Sequence, residues 1–252
     1  MIKGLYAAAS AMLAGINRQQ AIAHDVANLD TPGFKQVLTS LDDFKTTQIM
    51  RSNPNSLSDP VTFLGRLGLG VDSSKDSTDF SQGGMKQTGN EFDLAIDGNG
   101  FFRIKTQAGE RYTRDGRFIK DAQGSLTTVD GNLVLNASGQ PIKLTDGEAS
   151  IAPDGTITIN GSAAGQIGIA SFLDPAGQLT RDGDNTFSST GTPNGTEKGS
   201  VAQGYLEMSN ANPTQLMTQL VEVSRSYEAA QQMVQNQDEL LGKTIASLGR
   251  IG

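Results

Sequence analysis

The residue types that carry most enzyme chemistry are scarce in this chain. His24 is the single histidine, cysteine is absent, and there is no Gly-x-Ser-x-Gly element, so the usual sets of nucleophile and general base cannot be assembled. His24 lies in a helical pattern between Ala23 and Asp25, which favours a solvent-facing or interface residue over a general base. The 27 acidic residues could supply a carboxylate pair, but their spacing singles out none. The sequence therefore predicts no catalytic residue and indicates that the chain is not an enzyme.

Two short acidic segments, residues 97–100 and 182–184, resemble parts of calcium-binding loops. An EF-hand loop needs oxygen ligands at alternate positions and a glutamate at the twelfth, and neither segment supplies that set. Gly65, Gly68 and Gly70 form a glycine-rich patch whose spacing matches neither a dinucleotide fingerprint nor a P-loop. We therefore predict no metal site and no cofactor, and interpret these segments as turns and backbone bends.

Composition excludes several other classes of protein. The 252 residues include 36% hydrophobic ones, enough for a sizeable core, and the net charge of -7 argues against nucleic acid as a partner. No run approaches the roughly 20 apolar residues that span a bilayer, so we expect no direct membrane insertion.

Both ends of the chain carry apolar residues at alternating steps of three and four, which keep one face of a helix against a partner helix. The N-terminal pattern extends from Ile2 to Val26 and also includes Ala9, Gln19 and Ala23. We predict that the apolar positions of both patterns form an assembly interface. Those residues are Leu5, Met12, Ile16, Val26, Leu216, Leu220, Val223, Tyr227, Val234 and Leu241.

Residues 1–45 are predicted to form an N-terminal helical segment followed by a turn. A helix of about 26 residues should end near Ala27, because Asn, Asp, Thr, Pro and Gly follow it. Phe34, Val37, Leu41 and Phe44 repeat the helical spacing and predict a short second helix. Residues 46–79, rich in Ser, Asn, Pro, Gly and Asp, are predicted to be an extended connector.

Residues 80–187 have the pattern of a compact antiparallel β domain. Six Asp-Gly pairs, at 97, 115, 130, 146, 154 and 182, and Asn-Gly pairs at 99 and 160, mark tight turns between short apolar runs. Residues 188–212 are predicted to be a return connector. Residues 213–252 are predicted to be a second long helix, with Asn212 as cap and Pro213 in the first turn. The predicted fold class is α+β: long N- and C-terminal helices form a coiled-coil layer, with a central antiparallel all-β domain.

Four groups of residues, in order along the chain, resemble motifs of the axial proteins of the bacterial flagellum, specifically the rod and hook basal-body proteins. The first is Ala-Asn-Leu-Asp-Thr-Pro-Gly-Phe-Lys at residues 27–35. The second comprises residues 80–83, 87–90 and 93–102, continued by Tyr-Thr-Arg-Asp-Gly at 112–116 and Val-Asp-Gly at 129–131. The third is Gln-Gly-Tyr-Leu-Glu-Met-Ser-Asn at 203–210, and the fourth is Arg225, Tyr227 and Glu228. From the first motif we add Asn28, Thr31, Gly33 and Phe34 to the predicted assembly interface.

The resemblance implies a structural subunit of the rod, the tubular drive shaft that crosses the periplasm. The short middle domain resembles rod rather than hook proteins, and the tail at residues 237–243 resembles the proximal rod type more than the distal one. The implied partners are copies of the chain, other rod and hook axial proteins, the flagellar export apparatus and the surrounding ring proteins. The implied location is the flagellar basal body. Lys3 and the apolar run at 4–15 resemble a short signal peptide, but the helical pattern continues to Val26, so we expect export without cleavage.

Two other functions stay open on the residues alone. A secreted β domain that is oligomerised by a coiled coil and binds a glycan or another protein would form a closed dimer or trimer. A hydrolase using acidic residues of the β domain would keep its activity in the isolated middle region.

Overall fold

The computed structural model describes residues 2–43, 46–51, 62–68, 70–73, 76–195 and 199–248. The chain divides into two compact units. The helical unit comprises Met1–Val26, Val37–Ser77 and Pro213–Gly252, and the β unit comprises Ala27–Gln36 and Thr78–Asn212. The α+β class with a central antiparallel β domain is confirmed.

Two long helices dominate the helical unit. Helix α1 is Ile2–Ala27 and ends at the residue that the sequence predicts. Helix α3 is Pro213–Leu248 and begins at the predicted residue, whereas its predicted end at 252 lies outside the described residues. Short strands complete the described part of this unit: β1 (Val37–Leu38), β2 (Leu41–Asp43), β3 (Thr46–Arg51), β4 (Thr62–Gly68), β5 (Val71–Ser73) and, at its boundary, β6 (Ser77–Thr78). They pair as β1–β6, β2–β5 and β3–β4.

These strands correct two expectations. The prediction of a short second helix is wrong for the residues that the structure describes, because strands β1 and β2 lie there instead. Phe44, the last residue of the predicted helix, lies outside the described residues. Phe34, its first apolar position, is instead buried in the β unit, so the helical spacing of this stretch joins residues that serve two different units. The segment at 46–79 contains the β3–β4 hairpin, so its described part is paired rather than a simple connector.

The β unit contains the remaining strands and one short helix. The strands are β7 (Met85–Gln87), β8 (Leu94–Asp97), β9 (Phe101–Thr106), β10 (Gly109–Thr113), β11 (Phe118–Lys120), β12 (Leu126–Thr128), β13 (Leu133–Val134), β14 (Ala149–Ile151), β15 (Thr156–Ile159), β16 (Ser162–Gln166), β17 (Ile169–Ala170), β18 (Leu179–Arg181), β19 (Thr186–Ser189), β20 (Ser200–Gln203) and β21 (Tyr205–Glu207). The short helix is α2, Pro175–Gln178, which Asp174 caps.

The largest sheet of the β unit has the order β11-β12-β13-β9-β10-β19-β18, and β17 pairs with β9. Strands β14, β15 and β16 form a second sheet, while β20 pairs with β8 and β21 with β7. Strands β20 and β21 lie within residues 188–212, which the sequence predicts to be a return connector. They extend the β domain past its predicted end at residue 187. One core of aliphatic and phenylalanine side chains underlies both larger sheets, and a second aromatic cluster surrounds Phe187.

The turn chemistry explains much of this topology. Asn160 and Gly161 both have positive φ, 49° and 82°, and connect β15 to β16 as a tight hairpin. Gly116 serves a different purpose, because a Cβ atom there would lie 1.6 Å from the Leu94 carbonyl oxygen. That Asp-Gly pair marks close backbone contact rather than a turn with positive φ.

Candidate assembly site

The two long helices run antiparallel in the helical unit. A Cβ atom built on Gly15 would lie 3.7 Å from the Tyr227 ring, and one built on Gly4 would lie 3.4 Å from the Gln237 amide. The chain goes back eleven residues on α1, from Gly15 to Gly4, while the facing position on α3 advances ten residues, from Tyr227 to Gln237. The two helices are therefore antiparallel.

The predicted positions on α3 share the face that contacts α1. Leu216 and Val223 are buried, and Leu220, Tyr227, Val234 and Leu241 are half-buried. The apolar repeat of α3 is thus at least partly covered within the chain.

The predicted positions on α1 are placed differently. Leu5, Met12 and Val26 are half-buried, whereas Ile16 is exposed, as are Ala9, Gln19 and Ala23 of the same repeat. The buried residues of α1 are Ala8, Ala14, Ile22 and Asp25. Small side chains let two helix backbones approach closely, and three of the larger apolar residues of α1, namely Tyr6, Leu13 and Ile16, remain exposed.

Asp25 is a polar residue that the sequence analysis did not single out. Its carboxylate accepts hydrogen bonds from the Val37 backbone N–H at 3.1 and 3.3 Å, and the residue is almost fully buried. This bond holds the start of β1 to the last turn of α1.

The turn after α1 belongs to the β unit. The Thr31 hydroxyl donates to the Asn28 side-chain oxygen at 3.1 Å, and the Gly33 N–H donates to the Glu207 carbonyl at 2.7 Å. Gly33 has φ of 68°, and a Cβ atom there would lie 2.3 Å from the Arg114 carbonyl carbon. Phe34 is buried, with the Arg181 guanidinium 4.6 Å from its ring centre.

Three charged side chains meet beneath this turn. The Lys35 ammonium donates to Glu207 Oε1 at 2.6 Å, and the Arg114 guanidinium donates to Glu207 Oε2 at 2.9 Å. Lys35 also donates to the Ser81 carbonyl, and Arg114 donates to the carbonyls of Ile96 and Gly98. We call Lys35, Arg114 and Glu207 the buried triad. It joins residues of the first three motifs that the sequence analysis identified.

Burial opposes the charge of both cations of the triad. It lowers the pKa of Lys35, and the Glu207 carboxylate offsets part of that effect. Burial likewise lowers the pKa of Arg114, again against the attraction of Glu207. One carboxylate therefore compensates two buried cations, which makes Glu207 the residue on which the triad depends.

Asn210 adds a second link between the same segments. Its side-chain oxygen accepts from the Gln36 N–H at 2.8 Å, and its amide donates to the Asp79 carbonyl at 2.9 Å and to the Ser81 hydroxyl at 3.0 Å. The segments that precede α3 and follow α1 in sequence are therefore held together within the β unit.

Comparison with known proteins gives matches along most of this chain. The family described as "Flagellar hook protein FlgE/F/G D1 domain" matches residues 95–159, and "Flagellar basal body rod FlgEFG protein C-terminal" matches residues 202–248. The flagellar basal-body rod protein FlgF of Caulobacter vibrioides is 33% identical over 96% of this chain and 99% of its own length. The chain belongs to the flagellar basal-body rod protein family.

Other rod proteins are equally similar to it. FlgG of Bacillus subtilis is 33% identical over 97% of this chain and 98% of its own length, and FlgG of Agrobacterium fabrum is 34% identical over 95% and 97%. The family resemblance drawn from the motifs is thus confirmed. The first three motifs meet at the buried triad through their residues at 27–35, 112–116 and 203–210, and Tyr227 of the fourth lies against Gly15.

Among the described residues no three His, Asp or Glu side chains are grouped to hold a metal ion. No helix in the described part of the chain is long and apolar enough to cross a membrane.

Proposed function

We propose that the chain is a structural subunit of the flagellar rod that assembles through its terminal helices into the tubular shaft that transmits torque across the periplasm. The observation that carries this proposal is the exposed apolar face of α1. Tyr6 and Leu13 are 68% and 65% exposed, and Ile16 lies on the same side. A helix that stays apolar on the side away from its partner is suited to a second partner.

The end of α3 supports the same proposal. Because Gly4 lies against Gln237, residues 241–248 continue beyond the described start of α1. Ile245, one turn after Leu241, is 69% exposed. In the proposed assembly, neighbouring subunits cover this overhang and complete the coiled-coil layer, in which the predicted interface residues of both helices take part.

We propose the proximal rod position, on the resemblance of residues 237–243 noted above; the alternative is a distal subunit of the same family. The proposal also includes export through the flagellar apparatus without a cleaved signal peptide, and contacts with other axial proteins and the surrounding rings. Electron cryotomography of basal bodies from cells that lack the chain would distinguish the positions. If the chain is a proximal subunit, basal bodies of these cells should lack the inner segment of the rod. If it is a distal subunit, they should retain a short inner segment of the rod.

The assembly role is tested by placing a charge on the exposed side of α1. Ile16→Glu should abolish rod assembly and motility in cells that lack the native copy, because a carboxylate in an apolar interface is strongly unfavourable. Gln231→Glu, on an exposed position of α3, is the matched control and should leave motility intact. Full motility of the Ile16→Glu cells would contradict the proposal, provided that circular dichroism of the purified variant matches the wild type.

The less favoured function is that of a secreted β domain that is oligomerised by its helices and binds a glycan or another protein. It requires a closed oligomer of fixed mass, whereas a rod subunit forms open polymers. Sedimentation of the full chain over a range of concentrations separates the two.

A further inference from the structure

A notch of about 160 Å³ opens beside the contact between the two long helices. On the α1 side it is lined by Ala11, Ala14, Gly15 and the charged Arg18, on the α3 side by Glu222, Val223 and Ser226, and Val71 of β5 completes the lining. An apolar cavity of about 150 Å³ in an engineered protein accommodates one benzene ring. The notch therefore has room for one large apolar side chain.

The opposite side of α1 carries side chains of that kind. Leu13 lies two residues before Gly15, and at about 100° per residue the two positions point to opposite sides of the helix. Tyr6, Ala9, Leu13 and Ile16 form one uncharged, exposed stripe there. The helical unit thus presents a recess on one face and projecting apolar residues on the other.

The large apolar side chains that are exposed on α1 are Tyr6, Leu13 and Ile16, with 68%, 65% and 37% of their surface exposed. At about 100° per residue these three positions lie within about 80° of one another around the helix, so one partner surface can cover all of them.

We propose that Leu13 of one copy of this chain enters the notch of the next copy, between Gly15 and Ser226. This inference rests on the proposed function and specifies its contact. The stripe that contains Leu13 and the notch lie on opposite faces of α1. Each copy that is added to the polymer therefore leaves one stripe or one notch unoccupied, and the next copy can bind there. Such a head-to-tail contact does not close on itself and propagates as a polymer, whereas a two-fold dimer would bring identical faces together.

Disulfide trapping tests this contact directly, because the natural chain contains no cysteine. Chains carrying Leu13→Cys are mixed with chains carrying Ser226→Cys, concentrated, oxidised and analysed by non-reducing electrophoresis; the same pair is then examined in isolated basal bodies. A helix is about 10 Å wide and a disulfide requires Cα atoms within about 7 Å, so a chain carrying both cysteines should crosslink between copies rather than within itself. The control pair is Leu13→Cys with Gln231→Cys, which lies on another side of α3.

The proposal expects mixed dimers from the first pair and a covalent ladder from the double variant, both well above the control pair. Leu13→Ala should also raise the concentration needed for polymerisation by roughly tenfold, since burial of a leucine side chain is lost. Crosslinks between two Leu13→Cys chains would indicate a two-fold contact and overturn the proposal. Polymers or rods that contain the variants without the mixed crosslink would also overturn it while leaving the proposed function intact. Absence of the chain from both polymers and basal bodies would overturn both.

Discussion

The Lys35 ammonium lies 2.6 Å from the Glu207 carboxylate, although the two residues are 172 positions apart in sequence. Neither side chain is exposed to solvent. The same carboxylate pairs with Arg114 and also accepts the Gly83 N–H at 2.9 Å. One glutamate thus ties the turn that follows α1, the central sheet and the segment that leads to α3 into the β unit.

Glu207→Gln should destabilise the β unit severely. It leaves two buried cations without their carboxylate, and removing one partner of a buried ion pair costs about 3–5 kcal/mol. Lys35→Met is the matched comparison, since Glu207 keeps Arg114 as its partner and the surplus buried cation is removed. We expect that variant to lose no more than about 2 kcal/mol. Urea unfolding of both variants measures the difference, and a larger loss for Lys35→Met would contradict the assignment of Glu207 as the central residue.

Gly33→Ala should also destabilise the β unit. Its φ of 68° is unfavourable for alanine by about 1–2 kcal/mol, and the new Cβ atom would clash with the Arg114 backbone. Gly131→Ala is the control, because Gly131 has a similar φ of 83° but open space around its Cβ position. The difference in melting temperature between the two variants isolates the steric clash. Equal melting temperatures would show that the turn can move away from Arg114.

Tyr112 should make stability depend on pH in the alkaline range. Burial and the nearby Glu110 carboxylate raise the pKa of Tyr112 to about 12, against an ordinary value of 10.0. The folded chain therefore keeps this proton at pH values where the unfolded chain has lost it. The resulting contribution to stability is fully present below pH 10 and is lost as the pH rises through about 12. Between these values the wild type should lose more unfolding free energy than Tyr112→Phe, and equal losses would show that Tyr112 does not carry the effect.

Local signals were sufficient to predict the long helices and much of the β domain. Helix α1 ends at Ala27 because Asn28, Pro32 and Gly33 follow, and β9 and β15 fall where short apolar runs lie between turn dipeptides. The prediction of the short helix was wrong because Phe34 and Val37 have helical spacing but belong to different units, Phe34 to the β unit and Val37 to the helical unit.

Contacts between distant residues could not be predicted in this way. Lys35, Arg114 and Glu207 each have the sequence signature of a solvated surface charge, and nothing local indicates that they are buried together. On α1, an apolar repeat identifies a face that needs a partner but does not identify the partner. The structure places Ala8, Ala14 and Ile22 in the interior and leaves Ile16 exposed.

Gly15 should show opposite effects on the single chain and on the assembly. Alanine there would make ordinary contact with Tyr227 at 3.7 Å, and replacing a helical glycine by alanine stabilises a helix by about 1 kcal/mol. Gly15→Ala should therefore raise the melting temperature of the isolated chain. The added methyl group also narrows the notch that we propose to receive Leu13, so the variant should polymerise less readily than the wild type. Gly4→Ala is the matched control: this helical glycine of α1 also lies against α3, with its Cβ position 3.4 Å from the Gln237 amide, but it does not line the notch. If Gly15→Ala and Gly4→Ala affect polymerisation equally in light scattering, the glycine at position 15 has no role in receiving a neighbour.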